Sequence, residues 1–246
     1  MKTLTLGAGL LLGAATALFL PLQLPASVIG SVLNSQSQGK LSLVATDGNL
    51  WRGSAQPVLN GEALAEQLRW ELRPSQLLRG RLEFDIGIDS GSAKLSIGPG
   101  GISLSNADIS LAAAPLFKLD ERAKAYALAG QLHLMSQNIH WAKGQPEGAL
   151  LLEWRGAGSS LAPSLNPLGD YRVTAIPSGN GWQLQLSTLS GSLQINGNGS
   201  WQASQGFNLD LGLRASPGSE GSLTTLLTRI GPGAPNDERR LKFNFR

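Results

Sequence analysis

Two histidines, a thin scatter of carboxylates and no cysteine are all that the sequence offers for bond-making chemistry. Composition alone therefore excludes thiol nucleophiles, disulfides and thiolate zinc sites. His133 and His140 stand seven residues apart, a spacing that suits neither one strand face nor a metal site lacking a third ligand. With Leu132 and Leu134 facing a core, His133 is expected to point to water. Asp85 and Asp89 alternate with Ile86 and Ile88, Asp120-Glu121 stand beside Arg122, and Asp237-Glu238 precede Arg239-Arg240. No base or nucleophile motif lies near any of them, so they read as solvated strand faces and turn charges. Ser159, Ser160 and Ser190 lack the G-x-S-x-G elbow, and the Gly-rich joints connect strand to strand, so no phosphate cradle is expected. The expectation is a protein that is not an enzyme and carries no cofactor or metal.

Six tryptophans, Trp51, Trp70, Trp141, Trp154, Trp182 and Trp201, are the strongest compositional signal. They either fill a wide sheet opposite glycines or line an apolar groove for a lipid or a partner segment, and they are the candidate binding residues. The +3 net charge says little about partners. Lys2 and Lys40 lie outside the expected body, the remaining basic residues nearly balance 17 acids, and no basic stripe interleaved with aromatics is present. Nucleic acid is not an expected partner.

The elements that must position these residues are strands. Charged residues make up only 15% of the chain while Gly is 31 and Pro 13, which favours strands and turns over salt-bridged helices. Period-two alternation recurs at Leu41/Leu43, Leu82/Phe84/Ile86/Ile88, Leu95/Ile97, Ile102/Leu104, Ile109/Leu111, Leu132/Leu134, Leu150/Leu152/Trp154, Trp182/Leu184/Leu186, Leu193/Ile195, Phe207/Leu209/Leu211/Leu213 and Leu241/Phe243/Phe245. The spacing predicts an all-β fold, mostly antiparallel, as an extended or curved sheet of many short strands and hairpins with one wet face. Only Ser219 to Ile230 carries apolar residues at helical spacing, giving one short C-terminal helix, and a helical turn is expected after Pro74 with Leu77 and Leu78 capping a sheet end. A recurrence of Gly39-Lys-Leu-Ser-Leu, Gly130-Gln-Leu-His-Leu and Gly191-Ser-Leu-Gln-Ile, each leading to Trp51, Trp141 or Trp201, reads as one repeated hairpin unit.

Leu4 to Leu24 contains no charge and, at about 1.5 Å per residue, reaches roughly 30 Å as a helix, the thickness of a bilayer core. Lys2 precedes it, which places Met1 in the cytoplasm and the body on the far side. A cleaved signal peptide is the competing reading, with span length favouring an uncleaved transmembrane helix. The expected organisation is a membrane anchor over 1–26, a short polar tether over 27–40 and a β-rich domain over 41–246.

The residues Thr46 to Gly53 (TDGNLWRG), Trp70, Pro74, Leu77-Leu78 and Gly80, after an anchor ending in Leu24-Pro25-Ala26, resemble the type II secretion system protein N family. Leu168-Gly169-Asp170-Tyr171, Gly181-Trp182, and Gly191-Ser-Leu before Gly197-Asn-Gly-Ser-Trp201 are similar to its C-terminal half. The resemblance implies a single-pass inner-membrane protein with a periplasmic domain in the apparatus that exports folded proteins across the outer membrane. It brings no catalytic residues. Two functions follow as expectations: a scaffold that docks other type II secretion components, and a tethered module that binds lipid or another apolar ligand on a Trp-rich curved sheet.

Overall fold

The structure, a computed structural model, describes residues 24–234 and 236–245. All but the last residues of the expected membrane anchor lie outside the described residues. Among the described residues no helix is long and apolar enough to cross a membrane.

The alternating runs form one antiparallel sheet of fifteen strands. They are β1 (Leu41–Gly48), β2 (Arg52–Leu59), β3 (Glu62–Ala63), β4 (Leu68–Leu72), β5 (Leu82–Ile88), β6 (Gly91–Gly98), β7 (Gly101–Ala112), β8 (Leu128–Ala142), β9 (Gln145–Glu147), β10 (Leu150–Ser159), β11 (Gly169–Ser178), β12 (Gly181–Gly191), β13 (Leu193–Gln202), β14 (Gly206–Ala215) and β15 (Arg239–Phe245). The ladder runs in chain order from β1 to β15, with the short β3 paired only to β2 and β9 only to β8. Every long-range pairing thus joins near neighbours in the sequence, the meander that short Gly-containing turns enforce. From β7 onward most strands have ten or more residues, longer than the alternation alone led one to expect.

Register places the apolar positions opposite one another across the whole sheet. Leu72 pairs with Phe84, Phe84 with Leu95, and Leu95 with Leu104; further on, Ile109 pairs with Leu134, Leu134 with Leu152, Leu152 with Val173, and Val173 with Leu186. Leu104 and Ile109 have opposite parity on β7 yet pack in the same cluster with Ala93 and Ala107. Asn106, at φ 49, lies between them and resets the pleat so that the apolar side chains stay on one face.

Among the described residues five helices accompany the sheet: α1 (Ser27–Gln36), α2 (Pro74–Leu77), α3 (Ala113–Phe117), α4 (Glu121–Lys124) and α5 (Glu220–Ile230). The expected C-terminal helix is α5, whose Leu223, Leu226 and Leu227 lie over Leu193, Ile195 and Leu213. The segment expected as a tether is instead helical over most of its length. Ala26, Ile29, Gly30 and Leu33 recur at helical spacing within a polar composition, and Ala26 and Ile29 pack with Leu43, Ala55, Trp70 and Phe84. α2 falls where Pro74 places it, but Leu78 just after it is 93% exposed and caps nothing. The repeated hairpin unit is not formed either. Gly130 and Trp141 lie on β8 alone, Leu193 and Trp201 on β13 alone, and Trp51 sits in a turn, because these strands are long enough to hold the whole spacing.

α5 is the principal lid on the C-terminal end of the sheet. Leu223→Ala removes a fully buried side chain from that contact and is expected to cost about 2–5 kcal/mol. Chemical denaturation of the full chain in detergent, followed by far-ultraviolet circular dichroism, measures the loss.

Candidate functional site

The six tryptophans do not form one cluster. Trp70 is buried against α1, and its indole N–H donates to the Asn49 carbonyl at 3.2 Å. Trp154 packs between Phe117, at 4.7 Å between ring centroids, and Tyr171, at 5.5 Å, and donates to the Ala129 carbonyl at 2.9 Å. Trp51 lies in the turn between β1 and β2. Trp182 and Trp201 face each other across β12 and β13. Trp141, on β8, meets Trp201, on β13, at 5.5 Å.

The last contact defines the shape of the site. β8 and β13 are separated in the ladder by β10, β11 and β12, four steps that would span about 19 Å in a flat sheet. Side chains stand roughly perpendicular to a sheet, so the rings can touch only if the apolar face is strongly concave. The result is a trough. α1 lies on its floor near the first strands and α5 near the last, while Ile139, Leu152, Val173, Leu186 and Leu209 between them remain only half-buried.

The two sequence patterns that carried the family resemblance are built as architecture. In the Gly48 to Gly53 turn, the Asn49 side-chain oxygen accepts the backbone N–H groups of Trp51 and Arg52 at 2.9 and 3.0 Å. Trp70 then lies flat against Gly53, where a Cβ would come within 2.5 Å of the indole. In the second pattern Leu168 is buried and its carbonyl accepts the N–H groups of Ser192 and Leu193. Tyr171 donates to the Leu193 carbonyl at 2.9 Å, while Asp170 accepts Gly156 N–H at 2.8 Å and the Ser190 hydroxyl at 2.9 Å. Gly169 and Gly191 face each other so closely that a Cβ on Gly191 would collide with the Gly169 Cα. Burial, with the nearby Asp170 charge, pushes the Tyr171 phenol up, so its hydroxyl remains a hydrogen-bond donor.

The convex face is polar but not wholly wet. His133 corrects the sequence reading: it is mostly buried, and its Nε2 lies 2.5 Å from Asp108 Oδ1. His140 Nδ1 lies 3.0 Å from the Ser103 hydroxyl. Asp85 holds Arg73, and Asp89 Oδ1 accepts Gln67 N–H. Sequence reasoning missed two buried charges, Arg239 and Glu153, the latter 6% exposed and set directly across from His133 and Arg172. Arg172 and Arg155 each approach one of its carboxylate oxygens at 2.7 Å. Hydrogen bonds from Arg172 and then Arg155 hold its carboxyl below the usual carboxylate range, against the opposing effect of desolvation. The alternation Glu153-Trp154-Arg155 opposite Tyr171-Arg172 was the available signal, but only the register identifies the partners. Among the described residues no group of three or more His, Asp and Glu side chains is gathered as for a metal ion.

Comparison with known proteins identifies relatives by sequence. The family model for Type II secretion system (T2SS), protein N matches residues 39–244. A protein of Vibrio cholerae serotype O1, Type II secretion system protein N, is 32% identical over 216 residues, covering 83% of this chain and 80% of the relative. No solved structure matches the chain.

The depressed acidity of Glu153 sets a sign for pH dependence. Its contribution is fully present above the unfolded carboxylate pKa, about 4.3, and is lost as pH falls through the lower folded value. Glu153→Gln should therefore lower stability at pH 7 by about 1–2 kcal/mol, the guanidiniums being half in water. The gap between variant and parent should close in denaturant titrations as pH falls below about 4.

Proposed function

Because the chain belongs to the type II secretion system protein N family, we propose that it serves that apparatus as a scaffold, anchored in the inner membrane, whose periplasmic β domain docks other secretion components. The observation that carries the docking mode is the difference between the two sheet edges. β1 breaks its register between Val44 and Asp47, Ala45 has φ 50, and α1 packs beside it, all of which discourage further pairing. β15 pairs with β14 over seven residues without a shift, and among the described residues no strand is paired to its other side. Such an edge accepts an incoming strand by main-chain hydrogen bonds with little demand on sequence. A photo-crosslinking residue at Asn244 in secreting cells should form adducts with other secretion components, while one at Val44 should not. Secretion proceeding normally with no adduct at Asn244 overturns this docking mode.

The concave trough favours a second reading, an apolar-ligand or lipid-binding module. The Trp141–Trp201 contact closes one part of the trough while the neighbouring aliphatic residues stay half-exposed, the form of a groove for an acyl chain. Native mass spectrometry of the gently extracted full chain should then show an acyl-lipid adduct that is depleted in a Trp141→Gln/Trp201→Gln variant. A wild-type chain without any adduct rules the groove out.

A further inference from the structure

All strands run between two ends of the sheet, and the two ends differ in chemistry. One end carries the turn 49–51, the connection 73–81 and the hairpin tips 99–100, 143–144 and 179–180. Leu24 lies at this end too. Its carbonyl accepts Leu50 N–H at 3.0 Å, and Pro25 bridges Asn49, so the uncharged run that precedes Leu24 in sequence joins the body here.

The same end exposes apolar side chains that the core does not use. Leu82, Ile97 and Ile102 form one cross-strand row, exposed by 41%, 37% and 48%, and the row continues to Trp141. Leu78 projects beside it, 93% exposed. Scattered exposed leucines need no explanation, but an aligned row with a projecting leucine does. Basic residues flank it. The connection reads Arg73-Pro-Ser-Gln-Leu-Leu-Arg-Gly-Arg81 with no acid. Asp85 and Glu83 engage Arg73, whereas Arg79 and Arg81 have no ion pair among the described residues. The tips Pro99-Gly100, Lys143-Gly144 and Gly179-Asn180 carry no acid, although β9 beside Lys143 carries the exposed Glu147, while the opposite end carries both signs, Asp89, Asp120, Glu121 and Glu238 together with Lys118 and Lys124.

We propose that this end is a membrane-docking surface whose occupant is the anionic bilayer from which the N-terminal segment emerges. Leu78, Leu82, Ile97 and Ile102 enter the interfacial layer, Arg79 and Arg81 meet lipid phosphates, and the sheet stands with α5 away from the membrane. Apolar residues backed by arginines are the pattern by which proteins lie against a lipid surface. Trp51, in a turn of the same end, is of the type that prefers the headgroup level. The open row of the trough then faces lipid directly. This inference rests on the anchored reading proposed above.

Because the chain has no cysteine, single labels are unambiguous. Leu78→Cys and, at the opposite end, Ser90→Cys are made in the full chain, labelled with an environment-sensitive fluorophore and reconstituted in phosphatidylethanolamine–phosphatidylglycerol vesicles with spin-labelled lipid. Position 78 should show a blue-shifted emission and roughly threefold more quenching than position 90, with the difference reduced in an Arg79→Glu/Arg81→Glu background. Equal exposure of both labels in a chain that floats with the vesicles overturns the docking surface and leaves the anchor intact. A chain that does not float with the vesicles overturns the anchored reading and the docking surface together. Efficient disulfide linkage between copies of the unlabelled Leu78→Cys variant assigns the surface to a second copy and also overturns the proposal.

Discussion

A sheet with one apolar face must hide that face from water, and this chain has little with which to hide it. The apolar pleat face is continuous across the ladder, yet among the described residues only α1, α5, the short α3 and the connection around Leu161, Leu165 and Leu168 lie against it. Curling is the remaining solution. It brings the face against itself, as the Trp141 and Trp201 rings record, and converts exposed area into a concave surface. Asn106 serves the same end at the level of the backbone, since without its left-handed conformation half of β7 would turn its apolar residues outward.

The family's motif residues take their meaning from this curl. Trp70 is pressed onto Gly53, and Gly169 onto Gly191, at places where side chains of any size would push strands apart. Asn49, Asp170 and Tyr171 satisfy backbone groups that the turns and the close approaches would otherwise strand. These positions hold a shape. On the convex side Glu153 is neutralised between two arginines, where removing one partner would leave charge poorly compensated.

The edge at β15, the half-covered trough and the apolar, basic end near Leu24, into which the trough opens at Ile102 and Trp141, each present a different chemistry: main-chain hydrogen bonds, a greasy concavity, and leucines with arginines. An anchored protein that stands on its basic end would present the β15 edge parallel to the exposed body of the domain, free for a neighbouring component.

Much of this was legible in the residues alone. Period-two alternation determined the strands and which side chains share a face, because pleat geometry is local and needs no partner. Pro74 and the leucine spacing after Ser219 likewise marked α2 and α5. The motif glycines and tryptophans marked the family. What the sequence could not determine is whatever depends on how far the sheet bends. The approach of Trp141 to Trp201, the packing of Ser27–Gln36 as a helix, the burial of His133 and Glu153 and the exposure of Leu78 are set by curvature and by register between strands. Those arise from the balance of packing over the whole face, and no window of sequence contains that balance.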